Sequence, residues 1–314
     1  MCVYLPYLRG KQAELLAVRE FSKQLPQLNQ WVVPVIEPVK SDVSSVERAA
    51  QQMIDNGMHF ALVLNPQQGE FNSVGDDYFS RLSDSLKASC STAWSPAYLC
   101  REGDAPHVLA KLQAKGNAVL VFQGRVAFSP LVRELTEDPR VSWILDGTEK
   151  SRGFCEGVRT LKHSRIARLE DAFNRQERNA DYADIPDELF SETPWYFRDD
   201  GYHGVSDFTV IPRLFRDGGM LPYAVAIHMT YCQDSAIRIH HFVSDSNRDQ
   251  SNIRGKFSEA AIKVEGFYQN HVTTIGVREL LSAFGAGFYP GLGALKKWSI
   301  KNHLEVMATT LQEE

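Results

Sequence analysis

The sequence has no feature that marks a secreted, disulfide-stabilised or membrane-spanning protein. Its five cysteines are scattered along 314 residues without any CxxC pair, which is more typical of reduced thiols than of a disulfide framework or a zinc site. No run of about eighteen apolar residues occurs, and residues 1–12 contain no basic segment followed by an apolar one. We therefore expect a cytoplasmic protein without a membrane association.

Excess positive charge and several signature motifs are also missing. The chain has 34 Lys and Arg against 39 Asp and Glu, a formal net charge of -5, so its overall charge gives no evidence of nucleic-acid binding. No GxGxxG loop follows the first apolar run, and the glycine-rich link at 285–293 lacks the GK[ST] ending of a P-loop. The GxSxG and HExxH motifs of two hydrolase classes are absent too.

What the sequence does contain is a repeated alternation of apolar strands with helical segments. Residues 31–40 read Trp-Val-Val-Pro-Val-Ile-Glu-Pro-Val-Lys, a mostly β-branched run that ends on an acid, a proline and a base. Similar runs, each ending on a polar residue and preceding a helical segment, recur over roughly the first two-thirds of the chain. The predicted strands are 2–9, 32–39, 60–65, 95–101, 118–122, 141–145, 165–170 and 206–211.

This alternation predicts parallel pairing through right-handed crossovers, and eight such units close most naturally into a (β/α)8 barrel. An open doubly wound sheet is the main alternative. We favour the barrel because the polar strand ends are spread over many strands and because the glycine-rich dinucleotide loop is missing. The predicted fold class is α/β, a TIM-like barrel with an inserted β-hairpin and extra C-terminal helices.

The pattern changes after the eighth predicted strand. Two apolar runs flank the turn-like residues 232–235 and predict an antiparallel hairpin at 223–243. We assign residues 1–273 to a barrel that includes this hairpin, with 257–268 as its last helix, and residues 274–314 to a helical extension packed on the barrel. The charged and aromatic segment 174–204 is predicted as an elaborated loop with a helix.

Polar residues at the strand ends are the candidates for a site, because active sites of such barrels lie at the carboxyl ends of the strands. Glu37 is the most informative position, since strand alternation puts it on the same face as Val33 and Val35, at the rim of the core. An unpaired carboxylate there would be costly. We therefore expect a metal or a cationic partner such as Arg9 or Lys11, in either a functional or a purely structural pair.

Carboxylates and basic side chains together could bind an anion, hold Mg²⁺ or act as an acid and a base, while ordinary ion pairs and helix caps are the alternative interpretation. Arg168 and Glu170 share a strand face and could simply neutralise each other. The predicted catalytic residues are Glu37, Asp146, Glu170 and Asp207. The predicted ligand-binding residues are Arg9, Lys11, Lys40, Arg101, Arg168 and His241. No dedicated metal ligands are predicted, and Mg²⁺ is the one cofactor that the carboxylates suggest.

Three histidines of the predicted hairpin, His228, His240 and His241, also suggest a metal, because a hairpin brings alternate positions side by side. No further ligand stands at a recognisable spacing, so a structural or surface role is the better interpretation. The donor-rich segment 244–256 precedes a helix and could hold a phosphate at the helix N-terminus. A solvated loop is the alternative there.

Four short motifs resemble the Beta-protein family of bacteria and phages. They are Tyr4-Leu-Pro-Tyr-Leu-Arg-Gly-Lys-Gln12, Pro34-Val-Ile-Glu-Pro-Val-Lys40, Asp207-Phe-Thr and Gly255-Lys-Phe-Ser-Glu259, and together they span nearly the whole chain. The resemblance implies a barrel-like fold and, for some members, an association with mobile or antiviral-defence loci that also encode a nuclease-like partner. It implies no established reaction and no catalytic residues.

Two functional hypotheses follow, and whether the protein is an enzyme stays open. The first is a component of a bacterial antiviral-defence or mobile-element system, whose barrel binds or processes a small anionic or nucleotide-like ligand at the mouth formed by the strand ends. The second is a non-catalytic protein that docks a nuclease-like partner through the hairpin, the aromatic loop at 194–203 or the C-terminal helices.

Overall fold

The computed structural model describes residues 3–73, 93–112, 117–149, 151–161, 165–215 and 221–313. The helix predicted near residues 78–88 lies outside these ranges. The strands are β1 (Tyr7–Leu8), β2 (Val35–Ile36), β3 (Phe60–Val63), β4 (Trp94–Cys100), β5 (Ala118–Gly124), β6 (Val141–Thr148), β7 (Arg165–Glu170), β8 (Asp187–Ser191), β9 (Gly204–Asp207), β10 (Ala226–Gln233) and β11 (Ala236–Val243).

Eight of these strands form one parallel sheet in the order β1-β2-β3-β4-β5-β6-β7-β9. Its two edges meet at a parallel bridge between Tyr4 and Val205, where the Leu5 amide donates to the Val205 carbonyl at 2.8 Å and the Val205 amide donates to the Val3 carbonyl at 3.1 Å. The sheet therefore closes into a barrel, and the predicted (β/α)8 fold is confirmed.

The strands read as nearly continuous apolar runs because the barrel buries both of their faces. Alternate side chains, among them Val35, Val121 and Leu145, fill the barrel interior. Their neighbours, among them Ile36 and Ile144, pack against the outer helices. This alternation matters for function, because it decides which strand-end side chains face the mouth of the barrel.

The helices are α1 (Gln12–Gln24), α2 (Ser44–Asp55), α3 (Ala105–Lys111), α4 (Pro130–Glu137), α5 (Arg152–Val158), α6 (Thr193–Tyr196), α7 (Ile253–Phe267), α8 (Ile275–Gly285) and α9 (Leu292–Glu313). Short 3₁₀ helices lie at Pro26–Trp31, Gly69–Ser73 and Asn179–Asp184. None of the helices in the described part of the chain is long and apolar enough to cross a membrane.

A second, antiparallel sheet has the order β10-β11-β8. The predicted hairpin is present as β10 and β11, with Asp234 and Ser235 both at positive φ, 51° and 56°, as a two-residue hairpin turn requires. Strand β8 was not predicted, since it lies in the segment that the sequence suggests to be a loop with a helix. It pairs with β11 through Ile237 to His240.

The last helices cover this second sheet and join it to the barrel. The apolar side chains of α7 pack with Ile227, Met229 and Phe242 of the sheet, so the helix predicted as the last barrel helix covers the hairpin instead. Helix α9 buries its first turns in that same cluster, while Leu304 and Met307 further along belong to the outer core of the barrel. It thus takes the position of the eighth barrel helix.

Candidate ligand-binding site at the barrel mouth

Strand alternation divides the predicted site residues between the two faces of the barrel wall. Glu37 lies two residues after Val35 and so points, like Val35, into the barrel. At the other strand ends the inward side chains are those of Leu145, Leu169 and Phe208. The residues next to these three therefore face outward. These outward neighbours are Asp146, Arg168, Glu170 and Asp207. The structure therefore brings only one of the four predicted catalytic carboxylates into the barrel interior.

Glu37 lies at the centre of a buried hydrogen-bonded cluster. Its carboxylate accepts hydrogen bonds from the Tyr7 hydroxyl at 2.8 Å, from Arg9 Nη1 at 2.8 Å and from the Gln67 amide at 3.0 Å. Burial and the Glu37 carboxylate raise the pKa of Tyr7 well above its usual value, so the hydroxyl stays protonated. The expected cationic partner of Glu37 is thus Arg9, and the two side chains are only 1% and 4% exposed.

The Arg9 side chain packs between aromatic rings and donates to a backbone carbonyl. Its guanidinium lies 5.0 Å from the ring centroids of both Tyr7 and Phe208, and its Nη2 donates to the Arg213 carbonyl. The next residue, Gly10, has a φ of +62°, and a Cβ there would lie 3.2 Å from the Glu37 carbonyl oxygen, so glycine permits this close approach. The Nε of Arg9 is a buried donor without a partner among the described residues.

A cleft of about 580 Å³ opens above this cluster, and we call it the mouth cleft. Its lining includes four arginines against three carboxylates, Glu102, Glu149 and Asp171. The arginines are Arg9, Arg101, Arg125 and Arg213.

Two of these arginines have no partner among the residues that the structure describes. In the described ranges, the guanidinium groups of Arg101 and Arg125 make neither an ion pair nor a hydrogen bond. Gln123, which also lines the cleft, is 9% exposed, and its Nε2 is a second buried donor without a partner there. The mouth cleft therefore combines two buried donors that lack a partner among the described residues with two exposed guanidinium groups that bind no described protein group.

A second cleft of about 840 Å³, the side cleft, adjoins the first and is lined by Arg168, Glu170, Thr193 and Tyr196 among others. Glu170 accepts hydrogen bonds from Ser191 Oγ at 2.7 Å and Thr193 Oγ1 at 2.5 Å. Burial is the main cause that raises its pKa.

One residue, Arg213, separates the mouth cleft from the side cleft. Its Nη1 lies 2.9 Å from a Glu149 carboxylate oxygen, and its amide donates to Asp171 Oδ1 at 2.9 Å. All three of these residues line both clefts.

Asp146 and Asp207 are buried in the wall and do not face either cleft. Asp146 accepts hydrogen bonds from Thr148 Oγ1 at 2.6 Å and lies 3.1 Å from Arg168 Nη1. Asp207 is 1% exposed and connects the barrel to the last helix, as its carboxylate lies 3.1 Å from His303 Nε2. These contacts are those of residues that hold elements together.

The predicted ligand-binding residues likewise do not all lie at one cleft. Arg9 and Arg101 line the mouth cleft, and Arg168 lines the side cleft. Lys11 lies 4.4 Å from the ring centroid of Phe215, a residue of the mouth cleft. Lys40 and His241 are not among the residues that line either cleft.

The sequence places Gln123 among the polar strand ends but not among the predicted site residues, and Arg125 and Arg213 were not predicted. In the structure Gln123 continues the inward face of Val119 and Val121. No periodic signal marks the two arginines, because both lie beyond the ends of their strands.

The described carboxylates form no recognisable metal site. No group of three or more His, Cys, Asp or Glu side chains within the ranges that the structure describes is arranged to hold a metal ion. Glu37, the carboxylate nearest the barrel interior, already accepts three hydrogen bonds from protein donors. These residues therefore fit Mg²⁺ poorly, because an ion there would have to displace the Arg9 guanidinium.

Comparisons with protein families, with curated proteins and with solved structures found no match to this chain.

Proposed function

We propose that the protein binds a small anionic ligand, of the phosphorylated or nucleotide-like class, at the mouth of its barrel. The observation that supports this proposal is the set of donors without partners in the mouth cleft. In the part of the chain that the structure describes, Arg9 Nε and Gln123 Nε2 are buried without an acceptor, and the guanidinium groups of Arg101 and Arg125 are unpaired.

An anion is the ligand class that suits these groups best. A buried donor without an acceptor costs about 1–3 kcal/mol, and guanidinium nitrogens can only donate. The oxygens of a phosphate or carboxylate are acceptors and bind arginine through two parallel hydrogen bonds. A ligand with several such oxygens would satisfy the buried donors and the rim arginines together.

In this proposal Glu37 acts as a positioning residue. Its carboxylate holds Arg9 Nη1 at 2.8 Å. Glu37 also accepts from Tyr7 and Gln67, so three of the roughly four acceptor positions of the carboxylate are already used. The resemblance to the Beta-protein family adds a setting, a mobile or antiviral-defence locus, in which the ligand would be a signal or a substrate.

The test is isothermal titration calorimetry with inorganic phosphate, pyrophosphate, AMP and ADP at low ionic strength. We expect at least one of these compounds to bind with a stoichiometry of one. Replacing both rim arginines, Arg101→Ala with Arg125→Ala, should weaken that binding at least about tenfold, since a hydrogen bond to a charged group contributes about 1.5–3 kcal/mol.

A matched control is Arg133→Ala, which removes an exposed arginine of α4 that pairs with Glu137 at 3.2 Å. This control should leave the affinity unchanged. If none of the four compounds bound, or if the control weakened binding as much as the rim variant, the proposal would be wrong.

A further inference from the structure

A third cleft lies between the second sheet and the start of α9, and it shares no lining residue with the two clefts at the barrel mouth. We call it the sheet cleft. Its volume is about 1050 Å³, the largest of the three. One wall is apolar and includes Val210, Leu221, Tyr223 and Leu295. Leu221 and Tyr223 are 58% and 55% exposed, so this wall offers apolar surface to a ligand.

Two cations project into the same cleft. Lys296 and Arg175 both line it, and neither side chain has an ion pair or hydrogen bond among the described residues. Partial desolvation by the surrounding walls is the main cause that lowers the pKa of Lys296; attraction from the Glu14 carboxylate opposes it, and repulsion from Lys11 and Arg175 adds to it. Of the nearby carboxylates, Glu177 lines the cleft, while Glu14 accepts a hydrogen bond from the Arg9 amide.

A chain of three side chains ends at the third side of this cleft. His241 Nε2 lies 3.1 Å from Glu188 Oε1, and His241 Nδ1 lies 2.7 Å from Nδ1 of His228. Burial, among rings that include Phe173 and Tyr182, is the main cause that lowers the pKa of both histidines. Both rings are therefore neutral at neutral pH.

Neutral rings allow one proton arrangement that satisfies every contact. The Nε2–H of His241 donates to the Glu188 carboxylate, and Nδ1 of His241 then accepts from the Nδ1–H of His228. This leaves Nε2 of His228 as a lone-pair acceptor. His228 lines the cleft, and no described residue supplies a donor to this nitrogen.

We propose that the sheet cleft is a separate binding site for an amphipathic anion, a molecule with an apolar or aromatic body, a carboxylate, phosphate or sulfonate group, and a hydroxyl or N–H donor. Arg175 and Lys296 bind the anionic group, the wall of Leu221 and Tyr223 covers the body, and His228 Nε2 accepts the donor. Glu188 and His241 act as positioning residues, because they fix the tautomer of His228. This site is independent of the proposed function of the barrel mouth.

The test uses 8-anilinonaphthalene-1-sulfonate as the probe, since it has an aromatic body, a sulfonate and one N–H donor. We expect a stoichiometry of one in a fluorescence titration of the folded protein. Lys296→Met and Arg175→Ala should each weaken binding by about tenfold, and His228→Phe should weaken it about fivefold, in the range of one lost hydrogen bond. Arg133→Ala, on the exposed face of α4, is the control and should bind the probe like the wild type, while Arg101→Ala shows whether the probe occupies the barrel mouth.

Arg175 is exposed, and its side chain makes no hydrogen bond or ion pair with the other described residues, so its variant remains informative if Lys296→Met unfolds. Urea unfolding midpoints identify any variant whose extra fluorescence comes from partial unfolding. The proposal is overturned if no stoichiometric binding is seen, or if Arg175→Ala binds the probe as tightly as the wild type. It is also overturned if Arg101→Ala alone abolishes binding, since the probe would then occupy the barrel mouth.

Discussion

Asp207 allows the sharpest separation of a structural role from a catalytic one. Its buried carboxylate accepts hydrogen bonds from the Tyr4 hydroxyl at 2.6 Å and the Thr209 amide at 2.7 Å, and it lies 3.1 Å from His303 Nε2. Burial and the Asp207 charge raise the pKa of Tyr4 well above its usual value, so this hydroxyl remains a donor. Three partners from three parts of the chain thus depend on one carboxylate.

Asp207→Ala should therefore lower the free energy of unfolding by about 3–5 kcal/mol, the range for removing one partner from a buried charged network. Asp207→Asn should cost only about 1–2 kcal/mol. The asparagine amide oxygen still accepts from Tyr4 and Thr209. Its NH₂ group can donate to Nε2 of His303 if the His303 proton is on Nδ1. In that tautomer the Nδ1–H donates to Thr230 Oγ1, 3.0 Å away.

Urea unfolding followed by circular dichroism measures both values, and calorimetric titration with the best-binding phosphorylated compound shows whether the mouth is affected. We expect Asp207→Asn to bind like the wild type, because the carboxylate faces α9 and not the barrel interior. The reasoning is refuted if Asp207→Ala changes the free energy of unfolding by less than about 1 kcal/mol, or if Asp207→Asn abolishes binding while the fold stays stable.

Two further predictions concern charge in the interior. Glu37→Ala should lower the free energy of unfolding by about 3–5 kcal/mol, because it leaves the Arg9 charge buried and unpaired. The double variant Arg9→Met with Glu37→Leu should recover most of that loss, because it leaves no unpaired charge. Equal unfolding midpoints for the single and double variants would contradict this prediction. Lowering the pH through about 6.5 should reduce stability, because His228 and His241 have lowered pKa values in the folded state and the unfolded chain then binds more protons. His228→Gln should lose less stability between pH 7.5 and pH 5 in urea unfolding; an unchanged loss would argue against buried neutral histidines.

The barrel was predictable because its signal is repeated along the chain. Strands buried on both faces must be apolar throughout, and the alternation of such runs with helices leaves few topologies. That Glu37 would have a cationic or metal partner followed from its burial, but the sequence did not decide between Arg9, Lys11 and a metal; the structure shows Arg9. Alternation alone could not have placed Asp146 and Asp207, because strands that are apolar on both faces do not show which face is inward.

The second sheet was less predictable because its pairing depends on distant contacts. Strand β8 contains Asp187 and Glu188, residues that disfavour strands on their own. It is fixed by partners on β11, since Asp187 accepts a hydrogen bond from Arg238 Nε at 2.7 Å and lies 3.1 Å from His240 Nδ1. The sequence likewise does not indicate which of two apolar helices, α7 or α9, closes the barrel, because either could bury its apolar face against a sheet.

The most direct test of an anion site at the barrel mouth is native mass spectrometry of the protein purified gently from its own host, with any bound small molecule released and identified. We predict a phosphorylated or otherwise anionic compound, one per chain, that is lost when Arg101 and Arg125 are replaced by alanine and retained in Arg133→Ala. A wild-type chain that never carries an anion, or one that carries it equally well without the two rim arginines, would contradict the account.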